Sequence, residues 1–186
     1  MSQRVQLAVR INPNSADNIF EPAEPLETGD GYRLTIKGAT LDKGEVGTKQ
    51  RQFDGKFDVD HVFEGGASQE DVWGHFEDQV LGNVLDAGTG QARFGVTIMA
   101  YGQTGSGKTF TMMGPEDCKT KPLDAAGGIK ENAGIIMRIA HSLFQRIGEY
   151  ASSYGTKTTC TLGLLELYNE EMYDLLVDVP GKDLKK

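Results

Sequence analysis

Residues 102–109 read Gly-Gln-Thr-Gly-Ser-Gly-Lys-Thr and follow directly on the apolar run Val96-Thr97-Ile98-Met99-Ala100-Tyr101. The octapeptide fits the pattern G-x-x-x-x-G-K-[ST], which works where a strand hands over to a helix and the loop's backbone N–H groups turn inward around phosphates. The helix that follows points the positive end of its dipole at the same anion. A shuffled chain of this composition would show the pattern with a probability of about 0.02. The β-type run before it lowers that figure further. Gly102, Gly105 and Gly107 permit positive φ and close backbone approach, with Gln103, Thr104 and Ser106 completing the loop. Lys108 is placed to reach the β- and γ-phosphates, where one charge pair at ~4 Å and an effective dielectric of ~20 is worth ~4 kcal/mol before desolvation. Thr109 offers the hydroxyl that ligates Mg²⁺. These residues point to a nucleoside triphosphate.

Outward from the loop, the chain of 186 residues suits one domain with its own core. A net charge of −8 weighs against nucleic acid as a partner, because phosphate backbones recruit basic faces. The first ten residues lack the apolar stretch of a secretory signal, and no run approaches the roughly 20 apolar residues of a membrane span. The expected location is intracellular. Cys118 and Cys160 lie far apart, and His61, His75 and His141 are scattered, so the spacing suggests neither a disulfide framework nor a metal site.

Val5, Leu7, Val9 and Ile11 alternate with other residues and predict a strand ending at Asn12-Pro13. Tyr32, Leu34 and Ile36, then Phe53, Phe57 and Val59, predict a small antiparallel lobe. Ser68 is a good N-cap with Asp71 three residues on, and Val72, Phe76, Val80 and Val84 recur at helical spacing, flanked by Trp73 and Leu81. Their apolar face predicts core. Residues 114–133 read as a long loop, and Ile135, Ile136, Ile139, Leu143 and Ile147 as a helix. Thr158 to Tyr168 reads as a strand buried on both faces, followed by a short apolar tail over Met172 to Val177. The order predicts an α/β fold with the nucleotide at the carboxyl end of a central strand.

Hydrolysis needs an Asp from a second strand to hold the metal's outer shell. No apolar strand ends in one. Glu166, Glu170 and Glu171 read as solvated or structural carboxylates.

The words around the loop resemble the kinesin motor domain. Residues 101–114, Tyr-Gly-Gln-Thr-Gly-Ser-Gly-Lys-Thr-Phe-Thr-Met-Met-Gly, look like its phosphate-loop signature. Residues 57–63 (F-D-V-D-H-V-F) are similar to its F-x-F-D-x-V-F segment, residues 134–138 (G-I-I-M-R) to G-I-I-P-R, and residues 165–176 to L-E-I-Y-N-E-x-V-Y-D-L-L. Val9-Arg10-Ile11-Asn12-Pro13 sits where the family has V-R-x-R-P. The resemblance implies a P-loop NTPase fold, a central mixed, mostly parallel sheet with helices on both faces. It implies ATP and Mg²⁺ as ligands, with Arg10, Pro13 and Phe110 around the adenine, Lys108 as the catalytic lysine and Thr109 at the metal. It also implies a microtubule partner, a cytoplasmic, cytoskeletal location and oligomerisation through a coiled-coil stalk. Asn12 stands in place of the family's second Arg, and Met137 in place of its Pro. The two switch segments, N-x-x-S-S-R-S-H and D-L-A-G-S-E, are not in these 186 residues, nor are the neck, stalk and tail. Residues 1–186 thus resemble the amino-terminal half of a motor domain, expected to bind nucleotide and not to hydrolyse it alone. A different P-loop enzyme, or a short non-catalytic nucleotide-binding or interaction protein, is the alternative.

Overall fold

A computed structural model describes residues 5–13, 19–41, 51–85, 94–155 and 157–177. Three small sheets and four helices make up the described residues. Strand β1 (Ala8–Arg10) pairs in parallel with β5 (His61–Phe63), with Val9 opposite Val62. The predicted antiparallel lobe is present as β2 (Glu24–Pro25), β3 (Tyr32–Leu41) and β4 (Arg51–Val59), in the spatial order β2-β3-β4. Arg33 and Asp58 face each other across β3 and β4 and form a two-pronged ion pair at 2.7 and 2.9 Å.

The Phe57–Phe63 motif explains how lobe and parallel pair join. The chain leaves the antiparallel sheet at Val59 and enters the parallel one at His61. Asp60 makes the turn: its N–H donates to the Leu7 carbonyl at 2.9 Å and its carboxylate accepts from the Leu7 N–H at 2.7 Å. Gly31 sits at φ +134° against the Val59 carbonyl, and a Cβ there would collide with that backbone oxygen. Leu34, Val59 and Val62 are buried between the two sheets.

Helix α1 (Gln69–Val84) starts as predicted. The Ser68 hydroxyl accepts from the Asp71 N–H at 3.0 Å, and the Asp71 carboxylate accepts from the Ser68 N–H at 2.8 Å, a complete capping box. Its Val72, Trp73, Val80 and Leu81 are buried together with Phe63 and Ile135 in the larger core cluster. Trp73 is core as expected, and its indole N–H finds the Ser142 hydroxyl on α4 (Ile135–Tyr154) at 3.2 Å. Helix α2 (Lys108–Met113) leads out of the phosphate loop. The predicted long loop is partly ordered by a five-residue helix, α3 (Glu116–Thr120), and a bridge between Leu123 and Ile129. A single turn of helix leaves little periodicity to read from sequence.

Two strand expectations need correction. Residues 96–101 form no ladder with any described strand, and Met99 and Tyr101 are 80% and 97% exposed. The strand expected over 158–168 begins only at Leu165. There β6 (Leu165–Tyr168) folds back on β7 (Glu171–Asp174) as an antiparallel hairpin, so part of the predicted apolar tail is a strand. Its turn places Asn169 and Glu170 at φ 51° and 65°. Leu165 and Leu167 are exposed rather than buried. A strand is defined by its neighbours: among the described residues 96–101 has no ladder partner, and β6 has only β7, which leaves its leucines uncovered.

Candidate functional site

The phosphate loop takes the backbone that its glycines were expected to allow. Gly102, Gly105 and Gly107 have φ of +155°, +80° and +98°. At Gly102 a Cβ would stand 2.6 Å from the Ser106 hydroxyl oxygen. The Ser106 N–H closes the turn on the Gln103 carbonyl at 3.2 Å. Gly107 caps α2 in the left-handed region, which sets Lys108 and Thr109 on the first turn. The Lys108 ammonium donates to the Gly102 and Gln103 carbonyls, both at 2.7 Å, so the cation is held inside the loop's own curve. Thr104 and Thr109 are exposed at its rim. A ring of left-handed glycines, a lysine at its centre and a hydroxyl one residue on is a donor set that fits a polyphosphate with a hard cation.

Of the three residues expected at the base, Arg10 and Phe110 come together. The Arg10 guanidinium lies 5.4 Å from the Phe110 ring centre. It donates from Nη1 to Gln69 Oε1 at 2.7 Å and to Thr111 Oγ1 at 3.0 Å, and from Nη2 to the Ala67 carbonyl at 3.0 Å. Burial lowers the Arg10 pKa from its ordinary value. Pro13 lies beside Gly65, where a Cβ would meet the proline Cα at 3.4 Å. Asn12 Nδ2 reaches the Gly105 carbonyl at 3.5 Å, so the residue that replaces the family's second Arg faces the phosphate loop.

Two residues around Arg10 escaped the sequence reading, and a third, Arg138, orders the neighbouring segment. Gln69 is 2% exposed and Thr111 accepts from Arg10. Arg138, 5% exposed, donates from Nε to the Ala133 carbonyl at 2.9 Å and from Nη2 to the Glu131 and Lys130 carbonyls at 2.6 and 3.3 Å. It fixes the end of the 114–133 segment where Gly114 and Gly134 let the exit of α2 touch the entry of α4. A Cβ on Gly134 would stand 2.5 Å from the Met112 carbonyl. For Gln69 a signal existed: it precedes Val72 and Trp73 by three and four residues, which puts it on the buried face of α1.

Glu166, Glu170 and Glu171 are exposed on the β6–β7 hairpin, as solvated carboxylates would be. Among the described residues no group of three or more His, Cys, Asp or Glu could hold a metal ion. Cys118 is buried and Cys160 exposed, both as free thiols. No described helix is long and apolar enough to cross a membrane.

The family model for the kinesin motor domain matches residues 14–185. The rice kinesin-like protein KIN-5C is 33% identical over 175 residues, 94% of this chain and 16% of the relative. The Emericella nidulans kinesin-like protein bimC is 40% identical over 129 residues, 69% of this chain and 9% of the relative. Among solved structures, the motor domain of the Kar3-like kinesin from Ashbya gossypii superposes with a TM-score of 0.59 at 23% identity, covering 93% of this chain and 46% of that one. The motor domain of Kar3 from Saccharomyces cerevisiae gives a TM-score of 0.61 at 21% identity, covering 95% and 46%. The chain therefore spans a small part of these full-length relatives and less than half of these solved chains. Matched by the family model over residues 14–185 and by relatives at 33% and 40% identity, the chain belongs to the kinesin motor domain family.

Proposed function

We propose that this chain is the amino-terminal, ATP-binding half of a motor domain from a kinesin-like protein that couples ATP hydrolysis to movement along microtubules. The observation that carries the reading is the phosphate loop itself: three left-handed glycines curve the backbone around the Lys108 ammonium at the start of α2. Lys108 and the backbone N–H groups of residues 105–109 would hold the phosphates, and the Thr109 hydroxyl would take one position on Mg²⁺. Bound there, Mg²⁺ would neutralise charge on the β- and γ-phosphates. Arg10, Phe110 and Pro13 form the base side, with the guanidinium and the aromatic ring as flat surfaces.

The 186 residues supply binding and no complete hydrolytic apparatus. Contact with microtubules, and assembly through a coiled-coil stalk, belong to segments outside this sequence. The parent protein would act in the cytoplasm on the cytoskeleton.

Calorimetric titration with Mg²⁺-ATP tests the reading. Lys108→Ala removes a charge-assisted phosphate contact, and a loss of affinity of about tenfold or more is expected. Unchanged affinity would overturn the assignment.

A further inference from the structure

Gln69 is among the most deeply buried side chains described, and it is polar at both ends. Its carbonyl oxygen accepts from Arg10 Nη1 at 2.7 Å, while its amide nitrogen donates to the Phe110 carbonyl at 2.6 Å and lies 3.5 Å from the Asn132 carbonyl. The amide has one workable orientation. Reversed, its NH₂ would face a guanidinium and its oxygen would face two carbonyls. The partners come from three elements: Arg10 from β1, Phe110 from α2, and Asn132 from the segment that leads into α4.

The consequence falls on Arg10. A free arginine side chain samples many rotamers, and a flat contact with a ring needs one of them. Gln69, Thr111 and Ala67 supply three acceptors that fix the plane of the guanidinium beside the Phe110 ring. Removing the Gln69 acceptor leaves a half-buried guanidinium N–H short of one partner, and removing the donor leaves the Phe110 carbonyl with only the Gly114 N–H at 2.8 Å.

We propose that Gln69 is a positioning residue for the base end of the nucleotide site, fixing the Arg10 guanidinium and tying it to the phosphate-loop helix. The proposal rests on the nucleotide reading above and deepens it. Gln69 itself touches no ligand. Its contribution belongs to ligands that carry a base, whereas a bare polyphosphate, held by Lys108 and the loop backbone, does not sense it.

The test uses the longest natural polypeptide that carries these residues, titrated with Mg²⁺-ATP and with Mg²⁺-tripolyphosphate. Gln69→Leu is expected to weaken ATP about tenfold and to leave tripolyphosphate within about twofold. In an Arg10→Met background, Gln69→Leu is expected to add nothing to the loss. Gln69→Glu keeps an acceptor for Arg10 and is expected to retain most of the preference for ATP over tripolyphosphate. Equal losses for both ligands, or a loss that adds to that of Arg10→Met, would overturn the proposal and leave Gln69 a purely structural residue. If Gln69→Leu does not melt cooperatively, Thr111→Val decides: it removes another Arg10 acceptor, so a reduced preference for ATP supports the proposal and an unchanged one overturns it. Failure of the nucleotide reading looks different, because the unsubstituted protein would then bind neither ligand.

Discussion

Downstream of Lys108 the chain is held on several sides, whereas upstream of Gly102 it is held by very little. Helix α2 meets α4 through Gly114 and Gly134, receives Gln69 at the Phe110 carbonyl and gives Thr111 to Arg10. Ile135, at the start of α4, is 4% exposed in the same core as Trp73. Upstream, only Ile98 of residues 96–101 packs against that core. The 157–177 segment repeats the upstream situation, with Leu162, Leu165, Leu167 and Met172 at 61–77% exposure. Burying one such side chain is worth roughly 1.5–3 kcal/mol, which none of them realises here. Helices α1 and α4 find their partners within the sequence. The two apolar segments have the composition of buried strands, yet among the described residues only Ile98 of the first meets the core and the second pairs only with itself, through β6 and β7.

The largest expected effect concerns the chain on its own. Expressed as 186 residues, it should aggregate at micromolar concentration, turn over no ATP in response to microtubules and show no nucleotide-dependent pelleting with them. Size-exclusion chromatography, a coupled ATPase assay and co-sedimentation check these outcomes. A monodisperse, microtubule-stimulated ATPase would show that the exposed strands need no further neighbours.

Next comes a paired substitution that sets the two regions against each other. Trp73→Ala removes a 4%-exposed ring and its bond to Ser142, and should cost about 3–5 kcal/mol in urea unfolding at low protein concentration. Leu167→Ser on the exposed hairpin should change stability by no more than about 0.5 kcal/mol while reducing aggregation. Comparable costs for both would mean that Leu167 is covered in solution.

The smallest effect sharpens the packed side. His61 and His75 stack at 3.8 Å between β5 and α1, beside Phe63 and Phe76. Partial burial, and then the nearby His61, lower the His75 pKa below 6.5. A lowered histidine pKa favours the neutral ring in the folded state. Its contribution is therefore present above the unfolded-state value of 6.5 and is lost as pH falls through the lowered folded value. Melting temperatures across this range should fall on acidification, and His75→Asn should flatten the slope. A slope unaffected by the substitution would remove His75 from the account.

What was legible in the sequence follows the range of the interaction. The Ser68–Asp71 capping box, the face of α1 and the left-handed glycines of the phosphate loop are local, and each appears where its residues predicted. The alternation in β3 and β4 was likewise readable, because hairpin partners lie close in the chain. Strand status at 96–101 and 158–164 was not decided by composition, since ladder bonds come from other strands. The polar contacts around Arg10 were hidden for a related reason: Gln69 and Thr111 lie 59 and 101 residues from it. Only Phe110 and Pro13 were marked beside it beforehand, through family resemblance.

Amide hydrogen exchange on the chain, with and without Mg²⁺-ATP, tests the central claim most directly, because it reads both flanks of the phosphate loop at once. The account predicts slow exchange in α1 and the first half of α4, and near-unprotected exchange at residues 96–101 and 157–164. It also predicts that Mg²⁺-ATP slows exchange at residues 105–113 and leaves 96–101 unchanged. Protection at 96–101 equal to that of α1, or no response to Mg²⁺-ATP at 105–113, would contradict a nucleotide site anchored on its downstream flank.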